Sequence, residues 1–481
     1  MAQQLYFSRD TKMFLEFQDY IWTIPVLDGF SFSQATNSTE VTLNEMESTG
    51  GISRRGRRAF NDSLAPGEWS FSTYVRPFTS AGSGAGAADS ATEVHAVEEV
   101  LWAIMMGAKQ YNASGKYFEN TGVDVGQADL VSGECYKIKT AGSTNWTGIG
   151  AGAGSVGTVF VYGGQSITGA GGVVTRLVTN PGTAGNGTKF SFHASQSSTL
   201  GTATIYFVLG DATRKVMKLT GVTVNEASID FDIDGIATIN WSGNSSEVID
   251  FTGSTIEATS APAVSAATQD AVGTIAVGDV FLDSDNSYKL QTVATVPGSG
   301  NVTLNPFIDE AATSTTNFIR NRLTTLTIEP TSTDPDSDGT AELESSYNLT
   351  LTGGSITISN NNTYITPEEI GLVNVPIGHV TGTRNTSGSF TCYLTEDTGA
   401  TNASSDFFED LRAITNVVTN SFKLTFKIGG ASGTGLEVEM PTCHVEVPTH
   451  GIEDIISLET NFMALPSSIT GSDEMNLKYR P

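Results

Sequence analysis

The chain has 481 residues, and 25 Lys plus Arg stand against 52 Asp plus Glu, a formal net charge of −27. That length allows roughly two to four domains and a sizeable core without disulfide or metal staples. The acidity excludes an electrostatic grip on nucleic acid or on anionic lipid. The opening MAQQLYFSRDTKM has no apolar leader core and no stretch approaches the ~20 apolar residues that cross a bilayer, so a cytosolic origin with no membrane partner is expected. Cys135, Cys392 and Cys443 are too scattered for a disulfide framework or a CxxC metal site and read as small buried thiols. The 51 glycines, with abundant Thr, Ser, Asn and Val, point to a mainly β chain joined by many turns.

In chain order, residues 24–33 (IPVLDGFSFS) predict a strand, and a polar arm of about thirty residues leads to a second strand at 69–78 (WSFSTYVRPF), where polar and apolar residues alternate. The arm carries Arg54, Arg55, Arg57 and Arg58, a compact basic cluster whose natural partners are carboxylates on a neighbouring subunit; a solvated loop is the competing reading. Val94, Val97, Leu101 and Ile104 then share one helical face, behind a capping-box spacing at residues 90–93. Residues 111–196 form an insertion of strand-and-glycine texture, expected to decorate the outside. Residues 202–243 follow as a strand pair and a long strand. Within them Asp230, Asp232 and Asp234 recur at period two opposite Ile229, Phe231 and Ile233, so one face is core and the other wet and anionic. That wet face suits a solubilising surface or the lining of a channel equally well. Residues 245–321 join the halves as a linker with a minor β module.

The second half repeats the grammar. Residues 347–358 begin a strand series, an arm leads to residues 387–394 (SGSFTCYL), and a helix carries Phe407, Leu411, Ile414 and Val418 behind a Ser404 or Ser405 cap. A hairpin and final strand close it at residues 422–462. The pattern S-F-[ST]-x-Y-[VL] stands at residues 70–75 and again at 389–394, and Gly235-Ile236 is matched with Gly451-Ile452. Six elements in one order predict a duplication, each copy a small β-sandwich or barrel with one flanking helix.

Catalytic chemistry is not visible. The five histidines form no HExxH and no Cys/His set, and a G-x-G-x-x-G at residues 152–157 sits in an Ala/Gly run without a following helix. The loop from Asp334 to Gly339 copies the start of a calcium loop, but position twelve is Ser345 where a bidentate Glu is needed, and an acidic turn is the expectation. No enzyme activity and no cofactor are expected.

The segments IPVLDGFSFSQATNSTEVTLNE, GGISRRGRRAFNDSLAPGEWSFSTYVRPF, NEASIDFDIDGIATINWSG, NFIRNRLTTLTI, ITPEEIGLVNVPIGHVTGTRNTSGSFTCYLT and EMPTCHVEVPTHGIEDIISLETNFMALPS resemble the major tail tube proteins of tailed bacteriophages. The resemblance implies β-sandwich tube domains whose inner strands join neighbours around a lumen, with a long loop reaching the adjacent ring. It implies a structural subunit of the virion tail, assembled in the host cytoplasm, whose partners are itself, a sheath or terminator, a baseplate or tip, and DNA in transient passage. On this reading residues 1–110 with 197–244 form a first tube domain, 111–196 an inserted module, 245–321 the linker module and 322–481 a second tube domain. Two tube domains per chain favour trimeric rings with pseudo-sixfold symmetry. Asp230, Asp232 and Asp234 become candidate lumen-facing acids, and the four arginines candidate inter-subunit contacts. A host-glycan-binding adhesin or a tail decoration protein is the alternative.

Overall fold

The computed structural model describes residues 5–42, 57–79, 94–180, 188–191, 200–263, 274–308, 318–335, 339, 341–370, 373–396, 403–413, 421–452, 454–466 and 473–480. The fold is mainly β. The first half contributes β1 (Lys12–Phe17), β2 (Tyr20–Ile24), β3 (Ser31–Ser33), β4 (Thr36–Thr42), β5 (Arg57–Leu64), β6 (Gly67–Tyr74), α1 (Glu99–Met105), β7 (Ala203–Leu209), β8 (Lys215–Asp232) and β9 (Thr238–Ser245). The second contributes β10 (Thr325–Pro330), β11 (Tyr347–Leu349), β12 (Leu351–Ser359), β13 (Thr363–Ile365), β14 (Gly378–Val380), β15 (Asn385–Tyr393), α2 (Ser404–Ala413), β16 (Phe422–Ile428), β17 (Gly435–Val445), β18 (Thr449–Gly451), β19 (Ser457–Ala464) and β20 (Asn476–Arg480).

The ladders run in the same order twice. In the first half they read β2-β1-β7-β8-β9-β6-β3. In the second they read β11-β10-β16-β17-β19-β15-β12. The long strand of each half changes partners midway: β8 pairs with β7 up to Val222 and with β9 from Thr223. The switch needs a local bend, and Gly221 supplies it with φ +59°, a left-handed conformation that costs glycine little. In β17 the two pairings meet at Cys443, which faces Phe422 of β16 and Ala464 of β19, just after a register shift around Pro441, which has no N–H to offer a ladder.

A seven-pair ladder between Glu226–Asp232 of β8 and Gly353–Ser359 of β12 joins the halves edge to edge. One sheet therefore runs β3-β6-β9-β8-β12-β15-β19, with β17 and β18 along the far side of β19. Its inner face packs on a single core that takes residues from both halves, among them Phe71, Ile229, Trp241, Ile356, Phe390, Phe426 and Phe462. Helix α1 is buried along all seven residues, and Trp102 meets Trp241 edge to face at 4.7 Å between ring centroids. On three alternate ladders of this sheet a glycine lies opposite an aromatic ring: Gly243 and Trp69, Gly354 and Phe231, Gly388 and Phe462. A Cβ at these glycines would stand 2.6, 2.8 and 2.6 Å from the facing ring, so each ring fills the volume its partner leaves.

Several expectations change in detail. The helix expected from Val94 begins only at Glu99, because Val94–Ala96 forms a strand with Pro77–Thr79 and the Val97 N–H extends that pairing to the Arg76 carbonyl. The capping box at residues 90–93 lies outside the described residues, as do Ile414 and Val418. Phe407 and Leu411 are buried on α2 as the periodicity requires, but Ser404 does not cap its own helix. Its hydroxyl takes the Thr395 N–H at 2.7 Å and donates to the Tyr393 carbonyl. Gly235 and Gly451 do not coincide: Asp230 faces Thr238 and Gly451 faces Ser457, which leaves Gly235 in a turn and Gly451 on a strand. Inside residues 111–196, Tyr136, Trp146 and Phe160 form a separate small core, whereas Tyr111, Phe118, Val178 and Phe190 belong to the main one. In the joining region Val280, Leu282 and Leu290 pack on Phe14, Ile21 and Tyr206, and the Arg214 guanidinium lies 3.1 Å over the Tyr288 ring.

Candidate functional site

The outer face of the long sheet is built from rows of small polar side chains, because alternate residues of each strand point away from the core. One row reads Ser72, Asn240, Ser228, Thr357, Ser387, Met463 and His444 across seven strands. The next reads Tyr74, Thr238, Asp230, Ser355, Ser389 and Asn461. Beyond it Asp232, Gly353, Thr391, Glu459 and Thr449 continue the pattern. Among the described strand positions of this face there is neither Lys nor Arg, and its charges are the acids Glu68, Glu226, Asp230, Asp232 and Glu459.

Asp230 is held in a hydroxyl and amide network. Asn240 donates to Asp230 Oδ2 at 2.7 Å, Ser228 to Asp230 Oδ1 at 3.2 Å, and Ser72 to Asn240 Oδ1 at 2.6 Å. Such a surface carries no attractive charge for phosphate, and its acids repel an anionic polymer.

Of the acids singled out in the sequence, Asp230 and Asp232 stand on this face, with Ile229 and Phe231 buried behind them. Asp234 does not. It sits in the turn after β8, where Arg322 Nη2 approaches its Oδ1 at 3.9 Å, and Ile233 is exposed beside it instead of continuing the core face. Arg57 and Arg58 open β5, whose pairing with β4 makes the first arm a ribbon; Arg54 and Arg55 lie outside the described residues. The second arm is the β13-β14 ribbon, and the arms touch where the Leu64 N–H meets the Asn374 carbonyl at 2.8 Å and the Asn374 N–H meets that of Asp62 at 3.2 Å. The Asp334 carboxylate accepts the Gly339 N–H at 2.9 Å, which folds that turn on itself.

Sequence reasoning missed the Ser/Thr/Asn rows, although their signal is plain in hindsight: polar residues at period two in SFS, SFST and SGSFT. It also missed the last strand, β20, which lies between β17 and Thr188–Ser191. Among the described residues no helix is long and apolar enough to cross a membrane.

No protein-family model matches the chain. The tail tube protein pb6 of Escherichia phage T5 is 25% identical to it over 465 residues, which cover 95% of this chain and 70% of the relative. Taken with the mainly β fold, that likeness along almost the whole length supports a structural tail tube subunit of the phage virion tail.

Proposed function

We propose that three copies close into a ring with pseudo-sixfold symmetry, that the polar sheet face lines its bore, and that stacked rings form the conduit through which the genome leaves. The observation that carries this is the β8·β12 ladder, an edge-to-edge junction between two like halves inside one chain. Among the described residues the long sheet ends on β3 at one side and on β18 at the other, and neither outer edge has a ladder partner. In the repeated ladder order β3 is the counterpart of β12, and β18 of the end of β8. Pairing β18 with β3 of the next copy therefore repeats the internal junction and leaves no open edge, the usual solution to an exposed strand. The shared ladder order, and the S-F-[ST]-x-Y-[VL] pattern lying on β6 and β15 at equal register, support a tandem duplication.

Strand arithmetic favours three. Each chain supplies eight strand positions across the sheet. Twenty-four strands about 4.8 Å apart and tilted about 40° make a barrel ~48 Å wide at the backbone, with a clear bore of ~35 Å once side chains are allowed for. Two copies would leave ~20 Å on the same basis, about the width of the duplex itself and with no room for its hydration. The arms, which leave the sheet at one end of its strands, contact the next subunit or ring, with Arg54, Arg55, Arg57 and Arg58 set against carboxylates. A sheath or terminator and a baseplate or tip would meet the two ends of the tube. Electron microscopy of the assembled protein tests the scheme: hollow rings with three chains each are expected, and six chains per ring, or solid particles, refute it.

A further inference from the structure

We propose that the C-terminal strand β20 is a pH-set fastener that ties the two halves of the chain together most firmly under mildly acidic conditions. It goes beyond the ring model and does not depend on it.

The geometry is that of a clasp. β20 pairs on one side with Gly435–Glu439 of β17 and on the other with Thr188–Ser191, a strand reached from the first half. Leu477 and Tyr479 are fully buried. The Tyr479 hydroxyl accepts the Trp102 indole N–H of α1 at 2.8 Å and donates to Glu98 Oε1 at 2.6 Å. One side chain of the second half is thus hydrogen-bonded to two of the first.

One buried carboxyl group, Glu98, touches this strand, and a second, Glu134, lies beside Lys189 of the strand it pairs with and Asp473 just ahead of it. Glu98 and Glu134 are 1% and 2% exposed, and Oε2 of each has no hydrogen-bond partner. Glu98 is faced by Tyr479 from β20 and by the Arg76 N–H at 3.2 Å and its guanidinium, while Glu99, whose own carboxylate meets His95 Nδ1 at 2.8 Å, acts on the Tyr479 hydroxyl. Glu134 is faced by Lys189 from the neighbouring strand, Asp473 just ahead of β20, Arg176 and Arg384, with the Cys135 thiol adjacent; Arg384 pairs with Glu474. Burial outweighs these partners and pushes Glu98 up to about 7 and Glu134 up to about 8.

The sign follows from linkage. Both groups are neutral in the closed state at pH 5 to 6, where a hydrated glutamate would already have ionised. Opening β20 hydrates them and releases protons, so opening becomes easier as pH rises from about 4.5 through the folded values and levels off above them. A conformational device of this kind needs few residues, because each uncompensated buried charge is expensive.

Hydrogen–deuterium exchange of the β20 amides in the full chain, corrected for intrinsic base catalysis, reads the opening directly. Between pH 5 and 8 the parent should open at least tenfold more, and Glu98→Gln with Glu134→Gln should reduce that rise to less than twofold. A double variant that keeps the parent's slope, or a parent with no slope, overturns the proposal. If the double variant does not fold, Tyr479→Phe decides: loss of the hydroxyl donor should move the midpoint of the pH profile upward, and an unmoved midpoint overturns it.

Discussion

The ring junction can be tested in register. Within the chain Ser228 faces Thr357 across the β8·β12 ladder. Thr449 corresponds to Ser228 through the β8·β9 and β18·β19 pairings, and Ser33 corresponds to Thr357 through β3·β6 and β12·β15. Thr449 of one copy should then face Ser33 of the next, with Cα atoms about 4.5–5.5 Å apart. That distance suits a disulfide, whose Cα atoms sit about 4.4–6.8 Å apart. Both residues are exposed in the single chain, so Ser33→Cys with Thr449→Cys should leave its stability within about 0.5 kcal/mol. Mild oxidation of assembled protein should produce covalent species that stop at three chains, roughly 150 kDa from a 50.6 kDa protomer. Ser31→Cys with Thr449→Cys, two residues out of register and about 7–8 Å apart on the diagonal, should cross-link far less. Covalent ladders reaching six chains, or efficient cross-linking of the displaced pair, would refute the reasoning.

Two further outcomes are expected. Asp230→Lys with Asp232→Lys places four extra positive units per chain on the solvent face of β8, so assembly should persist while the tubes begin to retain short duplex DNA, measurable by co-sedimentation and lost steeply with salt; no retention at low salt would show that this face does not meet DNA. Replacing Arg54, Arg55, Arg57 and Arg58 by Gln should leave thermal unfolding of the single chain nearly unchanged and raise the concentration needed for polymerisation, most at low salt, since exposed pairs contribute about 0.2–1 kcal/mol each; polymerisation equal to the parent's would make the arm a solvated loop.

Much of the fold was legible because period-two alternation is a local signal. Trp69–Tyr74, Ile229–Asp232 and Ser387–Tyr393 announce their buried and wet faces residue by residue, and the repeated S-F-[ST]-x-Y-[VL] marks the same place in both halves. What failed depended on non-local partners. Val94 has helical spacing to Leu101, yet a ladder with Pro77–Thr79 takes it. The β1-β2 hairpin turns on Gln18 and Asp19 at φ 52° and 66°, conformations unusual outside glycine that Asp tolerates but Gln18 does not announce. β20 is a five-residue strand whose sense comes from Glu98 and Trp102, far back in the chain. Of the candidate acids, Asp234 obeys the spacing but not the face, because the strand ends at Asp232 and a turn carries no alternation.

The glycine-and-ring pairs bear on how such a chain diverges. In the first half the ring is on β6 and the glycine on β9; in the second the glycine is on β15 and the ring on β19, at the corresponding crossing. The two arrangements fill the same space and are not exchangeable piecemeal. A recombinant that set β6 of the first half beside β19 of the second would bring Trp69 against Phe462, and the reciprocal product would leave Gly243 facing Gly388 over a void. Either error costs a few kcal/mol, by overpacking or by a cavity. An exchange of sequence between the halves would therefore preserve the layer only for tracts that carry both strands of a pair, because a single strand brings either a second ring or a second glycine to the crossing.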